Sequence, residues 1–426
     1  MGTKNEGGRE APRPHLYSRE APGRSAVEAY ISLSPAVTML PQFLAAALAL
    51  ATGALASPTP QSNETKNDWD LDWISTDSSL PKVIIYSTGG TILSASNYSR
   101  LDNIAYGDGD NPTAEDLIGN VAEVLRVAQL AVVPFARAPG GSAGVNSSLY
   151  LDLSQHANRQ LCAEGSDVAG AVMLHGTDTL EETSFGVDLT FNCSKPFVAT
   201  GAMRPDTYVS PDGHSNIYQA VAAAASPSSR DRGALIAFND RITSVYYSTK
   251  LNANTPDTFG ALEQGSLGAF LAGRPFYFFG PAYPTGRPHF DVSDTTELPA
   301  VAVVYCHQGF DASLMHAAVA NGAKGLVILG PGAASLSNEA KAAAADLSEK
   351  GIPTVAAPRP ASGAAVPRPV LEPVIYSSYL GGEQARVMLQ LAVNAGYGLE
   401  AIRDLFEQPL RSAVYDNPAS RELYYT

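Results

Sequence analysis

The chain is poor in the residues on which several functional classes depend. Its 426 residues include three cysteines and seven histidines, and the histidines are scattered without the spacing of metal ligands. Basic residues are outnumbered, since 28 Lys and Arg stand beside 42 Asp and Glu, for a formal net charge of −14. An acidic surface repels phosphate backbones. We therefore expect no metal, no cofactor and no nucleic-acid partner.

Long apolar runs are also scarce, apart from one near the N-terminus. Residues 39–56 are rich in Ala and Leu and end in Ala-Leu-Ala. This run is too short for a comfortable membrane span, and its ending is typical of a secretory signal peptide. A buried helix is the alternative. We expect a secreted protein with no membrane partner, a true start at Met39, and a disordered or misassigned extension at residues 1–38.

Cysteines and Asn-x-Ser/Thr triplets fit the same expectation. In an oxidising compartment Cys162 and Cys193 could pair, although their spacing alone leaves this open. Cys306 is then left over and is expected to be a buried apolar residue. Candidate N-glycosylation triplets begin at Asn63, Asn97, Asn146 and Asn192.

Short apolar strands alternate with helical stretches along most of the chain. Residues 83–87 and 168–174 have the β-branched, apolar character of buried strands. Residues 112–129 and 147–161 have apolar side chains at helical spacing. This alternation predicts an α/β fold with parallel sheets covered on both faces. Residues 251–298 interrupt it with Gly, Pro and aromatic residues, as expected of a hairpin followed by a linker.

The length and this interruption predict two α/β domains, a larger N-terminal and a smaller C-terminal one, each with a parallel sheet. The predicted organisation is a linker at 57–79, a catalytic domain at 80–280, an interdomain linker at 281–298, a second domain at 299–412 and a tail at 413–426.

Two polar turns follow predicted strands and hold the candidate functional residues. Residues 88–91, Thr-Gly-Gly-Thr, come directly after the first strand, and residues 175–179, His-Gly-Thr-Asp-Thr, follow a later one. Ligands of open parallel sheets bind beyond the carboxyl ends of the strands. The hydroxyls of Thr88 and Thr91 should be free there. Thr177 and Asp178 could instead cap the helix that follows, with His175 as a strand-end hydrogen-bond partner.

These turns and several later segments resemble the bacterial-type L-asparaginase family, and most closely its secreted type II members. The resemblance covers roughly residues 80–410. Its two signatures are Tyr-Ser-Thr-Gly-Gly-Thr-Ile at 86–92 and Leu-His-Gly-Thr-Asp-Thr-Leu-Glu-Glu-Thr at 174–183; further matches are Gly-Ala-Met-Arg-Pro at 201–205, Asn-Asp at 239–240 with the later Lys250, the segment 290–299 and the helix 384–391.

The resemblance implies a threonine amidohydrolase that converts L-asparagine to L-aspartate and ammonia, with a possible side activity on L-glutamine. Thr91 matches the nucleophile, and Tyr106 matches a tyrosine on a mobile loop that activates it; Tyr98 is a second candidate. Gly107 and Gly109 fit such a lid. A threonine hydroxyl is weakly nucleophilic without a base, so this pairing also makes chemical sense.

The resemblance also implies a second cluster of Thr177, Asp178 and Lys250, in which the lysine keeps the carboxylate ionised and activates a hydroxyl or water. Asp178 would hold the substrate α-ammonium group. Ser142 aligns with a serine that binds the α-carboxylate, and backbone N–H groups near Gly90 and Thr177 could bind the oxyanion.

Two stretches depart from the family pattern. Ala and Gly follow Ser142, where the family has acidic or amide side chains. The family completes its site with an Asn, and often an acid, from a neighbouring subunit, but the aligned position here is Ser335; Glu339 or Glu372 could substitute. The resemblance further implies a Cys162–Cys193 disulfide and a homo-oligomer, a dimer of dimers with sites at subunit interfaces.

Two other classes are weaker interpretations of the same residues. Residues 140–144 match the Gly-x-Ser-x-Gly pattern of serine esterases, but they lack the strand before the serine and the helix after it. A non-catalytic amino-acid-binding protein would not need two hydroxyl–base sets. Sequence leaves direct attack by water open as an alternative to an acyl-enzyme at Thr91.

Overall fold

A computed structural model describes residues 71–75, 77–107 and 110–416. The predicted extension at 1–38, the signal peptide at 39–56, the triplet at Asn63 and most of the linker at 57–79 lie outside these residues. The predicted domain boundaries stay predictions.

The strands up to residue 277 build one large sheet and a small ribbon. In chain order they are β1 (Lys82–Ser87), β2 (Gln129–Pro134), β3 (Val168–Leu174), β4 (Phe197–Thr200), β5 (Leu235–Phe238), β6 (Arg241–Ser244), β7 (Thr249–Lys250), β8 (Phe259–Gly260), β9 (Gly268–Leu271) and β10 (Arg274–Tyr277). The large sheet has the order β10-β9-β6-β5-β4-β3-β1-β2, and β7 forms a separate two-stranded ribbon with β8.

The large sheet is mixed, which refines the prediction of a parallel sheet. Strands β5, β4, β3, β1 and β2 are parallel neighbours, whereas β6, β9 and β10 add antiparallel pairs. The chain reverses between β5 and β6 at Asn239 and Asp240, whose φ angles are 47° and 63°. Two left-handed residues in a row make the tight turn of a hairpin, so β6 returns antiparallel to β5.

The helices cover this sheet and a second one. They are α1 (Ala114–Asn120), α2 (Ser148–Leu161), α3 (Leu180–Thr190), α4 (Gly213–Ala225), α5 (Ser313–Ala320), the short α6 (Pro331–Ala334), α7 (Asn338–Glu349), α8 (Gly382–Asn394) and α9 (Leu399–Arg411). Short 3₁₀ turns occupy Thr91–Leu93, Ala122–Arg126, Gly141–Gly144 and Pro227–Ser229, and a π turn follows α9 at Ser412–Asp416. None of the helices in the described part of the chain has the length and apolarity to cross a membrane.

The single helix predicted over 112–129 is wrong. The α-helix ends at Asn120, Val121 leaves helical geometry with φ −127° and ψ 56°, and a 3₁₀ turn follows. Gly119 and Asn120 are poor helix formers, which explains a break that the apolar spacing alone did not reveal. Residue 129 already belongs to β2.

The central strand β1 explains the continuous apolar run in the sequence. Ile84 and Tyr86 point into one core with helices α2 and α3, while Val83 and Ile85 point into another with α1 and α4. All four side chains are fully buried. Burial of each stabilises the fold by roughly 1.5–3 kcal/mol, so β1 is a rigid base for the turn that follows it.

The second sheet is smaller and wholly parallel. Its strands, in spatial order, are β11 (Val301–Tyr305), β12 (Gly325–Gly330), β13 (Thr354–Pro358) and β14 (Ile375–Tyr376). Helix α8 packs on this sheet and on α3, so it joins the two parts of the fold. The prediction of two α/β domains, the larger one first, is confirmed.

Candidate active site

The two polar turns lie side by side. Strands β1 and β3 are parallel neighbours, and their last residues, Ser87 and Leu174, are paired. Gly90 has φ +92°, and a Cβ placed on it would lie 2.3 Å from the Cα of Gly176. Such an approach excludes any side chain at Gly90. The turns are therefore locked together at one end of the sheet.

A cleft of about 440 Å³ opens at this point. Its size suits a small polar ligand rather than a polymer. It is lined by Thr88, Gly90, Thr91, Ser94, Tyr106, Gly107, Asn111, Arg137, Ala138, Gly140, Gly141, Ser142, Val145, His175, Gly176, Thr177 and Asp178.

The first cluster in the cleft pairs Thr91 with Tyr106. The Thr91 hydroxyl donates to Tyr106 Oη at 2.9 Å. Thr91 is buried, whereas Tyr106 is 36% exposed and lies on the loop before the undescribed residues 108 and 109. Tyr98 is 73% exposed and does not line the cleft, so Tyr106 is the tyrosine that the structure brings to Thr91.

Two hydrogen bonds hold the base of the loop that carries Tyr106. The Asn111 side chain accepts from the backbone N–H of Ala95 at 2.9 Å and donates to the carbonyl of Gly107 at 2.8 Å. Gly107 has φ +99°, a conformation that favours glycine. The predicted lid residue Gly109 lies outside the described residues.

The second cluster joins Thr177, Asp178 and Lys250. The Lys250 ammonium donates to Thr177 Oγ1 at 3.0 Å and to Asp178 Oδ1 at 2.9 Å. Lys250 is mostly buried, while 60% of the Asp178 side chain is exposed. Thr177 is buried. The Lys250 ammonium therefore approaches Thr177 and Asp178 from the protein interior, whereas the Asp178 carboxylate is exposed to the cavity.

Ser142 connects the second cluster to the opposite wall. Its hydroxyl lies 3.3 Å from Asp178 Oδ2 and accepts from the Asp178 backbone N–H at 3.2 Å. Its carbonyl accepts from the Thr179 hydroxyl at 2.8 Å. Because the hydroxyl contacts a carboxylate, not a histidine, the geometry is not that of a serine esterase.

Two expectations about the polar side chains of these turns are wrong. The Thr88 hydroxyl is not free, because it donates to the Leu174 carbonyl at 2.8 Å and so ties β1 to β3. Thr177 and Asp178 do not cap α3: the residue at the N-cap is Thr179, which makes no side-chain cap hydrogen bond. The polar groups of Thr177 and Asp178 are thus engaged by Lys250 instead of by the helix.

His175 has the local role that its position suggests. Its Nδ1 lies 2.7 Å from the Gly176 carbonyl, and its Nε2 is buried with no hydrogen-bond partner among the described residues. Burial lowers the pKa of His175 to about 4, so the ring is neutral at physiological pH. Within the described residues, no group of three or more His, Cys, Asp or Glu could hold a metal ion.

Sequence reasoning missed Arg137 in this cleft. It follows β2 at the same end of the sheet, its side chain lies against Gly89, and its guanidinium donates to the Pro112 carbonyl at 3.0 Å. The available signal was its position just beyond a strand end, in a chain with little positive charge. Arg137 adds a second cation to a site for which the sequence predicted hydroxyls, one carboxylate and the Lys250 ammonium.

The structure does not bring Ser335 to the cleft of the same chain. It is exposed at the end of α6. Glu339 is exposed in the first turn of α7, and Glu372 accepts a hydrogen bond from Tyr376 at 2.6 Å. A contribution of these residues from a neighbouring subunit stays a prediction.

Cys162 and Cys193 are joined by a disulfide with a Cα–Cα distance of 5.4 Å. It links the end of α2 to the segment after α3, and such a cross-link stabilises the fold chiefly by restricting the unfolded chain. Cys306 is buried, as expected, and burial raises the pKa of its thiol.

Two family models together match most of the described chain. The first, "Asparaginase, N-terminal", matches residues 82–282, and the second, "Glutaminase/Asparaginase C-terminal domain", matches residues 300–406.

Three curated relatives match this chain over more than 330 residues each. Probable L-asparaginase 1 of Schizosaccharomyces pombe is 41% identical over 336 residues, which cover 79% of this chain and 91% of that protein. L-asparaginase 2 of Bacillus subtilis is 35% identical over 331 residues, covering 77% and 87% of the two chains. L-asparaginase 2 of Escherichia coli is 32% identical over 334 residues, covering 77% and 93%.

A solved structure corrects one prediction and agrees with the fold. The probable cytoplasmic L-asparaginase from Campylobacter jejuni has a TM-score of 0.70 and 30% identity, and the match covers 76% of this chain and 99% of that one. The prediction of a secreted protein is wrong in view of this cytoplasmic relative, since an Ala- and Leu-rich run ending in Ala-Leu-Ala is too generic a pattern to establish export. By its motifs, fold and relatives, the chain is an enzyme of the asparaginase family.

Proposed function

We propose that this enzyme hydrolyses L-asparagine to L-aspartate and ammonia with Thr91 as the nucleophile. One observation carries the proposal: a hydroxyl–tyrosine pair and a hydroxyl–carboxylate–lysine cluster line one cleft. Amide hydrolysis needs a nucleophile, a proton acceptor and a site for the oxyanion. The relatives named as L-asparaginases supply the substrate class.

The first step would proceed through Thr91 and Tyr106. Thr91 Oγ1 attacks the side-chain amide carbon and gives its proton to Tyr106 Oη, which already accepts a hydrogen bond from it, while the Tyr106 hydroxyl gives its own proton to the amide nitrogen. The carbonyl oxygen becomes an oxyanion facing the backbone N–H groups near Gly90 and Thr177. With the nitrogen protonated, the oxyanion re-forms the carbonyl and the C–N bond breaks, so ammonia leaves and an aspartyl ester forms on Thr91.

The second step would use the other cluster. A water molecule held near Thr177 and Lys250 attacks the ester carbon, and its proton passes to this cluster. The C–O bond to Thr91 then breaks, the hydroxyl of Thr91 recovers a proton, and L-aspartate is released. In the alternative route, the same water attacks the amide directly and no ester forms.

Substrate orientation would come from two neighbouring polar side chains, a carboxylate and a hydroxyl. Asp178, with its exposed carboxylate, would bind the α-ammonium group, and Ser142 would bind the α-carboxylate. A second copy of the chain would add Ser335 at the subunit interface of a homo-oligomer. L-Glutamine has one more methylene group. The ratio of its turnover to that of L-asparagine would therefore measure how strictly these residues select for substrate length.

The test is ammonia release by the full chain with L-asparagine, L-glutamine and D-asparagine. We expect turnover of L-asparagine that falls by at least about 10³-fold in Thr91→Val and in Lys250→Ala. Thr354→Val is the matched control, because its buried hydroxyl in the smaller sheet makes no hydrogen bond to any residue that the structure describes. Binding of L-asparagine without ammonia release would instead indicate an amino-acid-binding protein.

A further inference from the structure

The strand that carries Lys250 is short and depends on contacts from outside. Strand β7 has two residues, Thr249 and Lys250, and pairs with the equally short β8. An isolated two-stranded ribbon is marginally stable in water. The position of the Lys250 ammonium must therefore be set by groups that hold this ribbon against the rest of the fold.

Glu181 holds the strand from the side of the larger domain. Its Oε2 accepts the backbone N–H of Lys250 at 2.9 Å, and Thr249 also hydrogen-bonds to the carboxyl group. Glu181 lies in the first turn of α3, only 7% exposed, directly after the loop that carries Thr177 and Asp178. A buried carboxyl group is costly without hydrogen bonds, so its bonds to the strand define its role.

Gln384 holds the same strand from the smaller domain. Its Nε2 donates to the carbonyl of Ser248 at 2.9 Å, and the side chain is only 3% exposed on α8. Ser248 is also bonded through its hydroxyl to Thr243 at 2.7 Å. The residue before β7 is thus fixed to the large sheet and to the smaller domain.

We propose that Glu181 and Gln384 are positioning residues that place the Lys250 ammonium against Thr177 and Asp178. The inference rests on the proposed function of Lys250 and extends it: the smaller domain takes part in the site of its own chain through α8. Neither residue lines the cleft, so both act through the backbone on either side of Lys250.

Glu182 offers a matched control one residue along the same helix. Its carboxylate pairs with Arg386 of α8 at 2.8 Å and 3.1 Å, so it also joins the two domains. No hydrogen bond or ion pair in the described structure links Glu182 to residues 248–250. A general weakening of the domain contact should therefore affect Glu182 variants as much as Glu181 variants, while loss of positioning should not.

The experiment compares kcat, KM and pre-steady-state ammonia release for Glu181→Ala, Glu181→Gln, Gln384→Leu and Glu182→Gln in the full chain. We expect kcat to fall about 10- to 100-fold in Glu181→Ala and about 10-fold in Gln384→Leu, with KM changed less than about threefold. Glu181→Gln should stay within about threefold of wild type, because its amide oxygen still accepts the Lys250 N–H. Glu182→Gln should keep kcat and lower only the melting temperature.

The two positioning variants should also slow release of L-aspartate more than the first burst of ammonia, because Lys250 serves the second step. If Glu181→Ala is poorly folded, Gln384→Leu tests the same strand from the other side. Wild-type kcat in both variants, or equal losses in Glu182→Gln, would overturn the positioning role. Wild-type kcat in Lys250→Ala would instead overturn the proposed function itself.

Discussion

The two clusters of the cleft differ in how firmly the fold holds them. Thr91 is buried in the 3₁₀ turn that follows β1, but its partner Tyr106 is on a loop and is 36% exposed. Only one hydrogen bond joins the two side chains. In the second cluster, Lys250 makes two side-chain bonds and its backbone is bonded to a buried carboxyl group.

This difference indicates a division of tasks. A proton acceptor on a loop can move aside to admit substrate and return to complete the site. A cluster that is fixed before substrate arrives needs no reorganisation when charge develops. We therefore expect the contribution of Tyr106 to turnover to depend on the motion of its loop. The contribution of Lys250 should depend on the packing that fixes its position.

Removal of the lysine charge should give the largest effect. Lys250→Met keeps an apolar stem of similar length but removes both hydrogen bonds to the cluster, so kcat should fall about 10³-fold. Lys324→Met, at an exposed lysine of the smaller domain, is the control and should have wild-type kcat. Steady-state ammonia release measures both, and equal kcat values would show that the fixed cluster is not catalytic.

Loss of the Tyr106 hydroxyl should give the next largest effect. Tyr106→Phe keeps the ring over the cleft but removes the acceptor of the Thr91 proton, so kcat should fall about 100-fold. Tyr98→Phe, on the same segment and 73% exposed, should have no effect. The reverse result would transfer the role to Tyr98.

Arg137 should affect binding more than chemistry. Its guanidinium is a cation in the cleft beside Gly89, and Arg137→Gln should raise KM for L-asparagine about 10-fold with little change in kcat. Asparagine methyl ester lacks the α-carboxylate charge that the Arg137 guanidinium would attract. It is therefore the matched control substrate, and its KM should not rise in the variant. A similar rise in KM for the ester would mean that Arg137 only supports the loop at Pro112.

The smallest expected effect on turnover is that of Glu181→Gln, but its stability should depend on pH. Burial, with Glu383 and Glu182 nearby, raises the pKa of Glu181 to about 7. The folded carboxyl group therefore keeps its proton up to that pH, while the unfolded one loses it near 4.5. Its contribution to stability is complete below about pH 4.5 and is lost as pH rises through 7.

Glutamine does not titrate, so Glu181→Gln should gain stability relative to wild type between about pH 4.5 and 7, by roughly 3 kcal/mol. Denaturant unfolding at several pH values measures this difference. The pKa of His175, lowered to about 4 by burial, has the opposite sign: stability is lost as pH falls from 6.5 towards 4. It is common to both proteins and cancels. A difference that does not change with pH would contradict the burial argument.

Local patterns predicted much of the fold and the centre of the site. Apolar runs placed β1 and β3, and the polar turns after them placed Thr91, Thr177 and Asp178 in one crevice, because neighbouring parallel strands end at the same edge. The resemblance added Lys250 and Tyr106, which periodicity alone would not select.

What the sequence did not predict depends on long-range contacts or backbone geometry. The antiparallel part of the large sheet begins at two left-handed residues, Asn239 and Asp240, whose φ angles no apolar pattern reports. The bond between Glu181 and Lys250 joins residues far apart in the chain. In the sequence, Glu181 is one of two acidic residues in the first turn of a helix. Acidic residues are common there because they interact favourably with the helix dipole, so the pattern does not indicate a bond to Lys250.

The central claim is that Thr91 forms a covalent intermediate that the Lys250 cluster resolves. The most direct measurement is mass spectrometry of Lys250→Met after brief mixing with L-asparagine and acid quenching. We predict one ammonia released per site and an aspartyl group bound as an ester to Thr91. An unmodified Thr91, with ammonia and aspartate released in step, would contradict the account and favour direct attack by water.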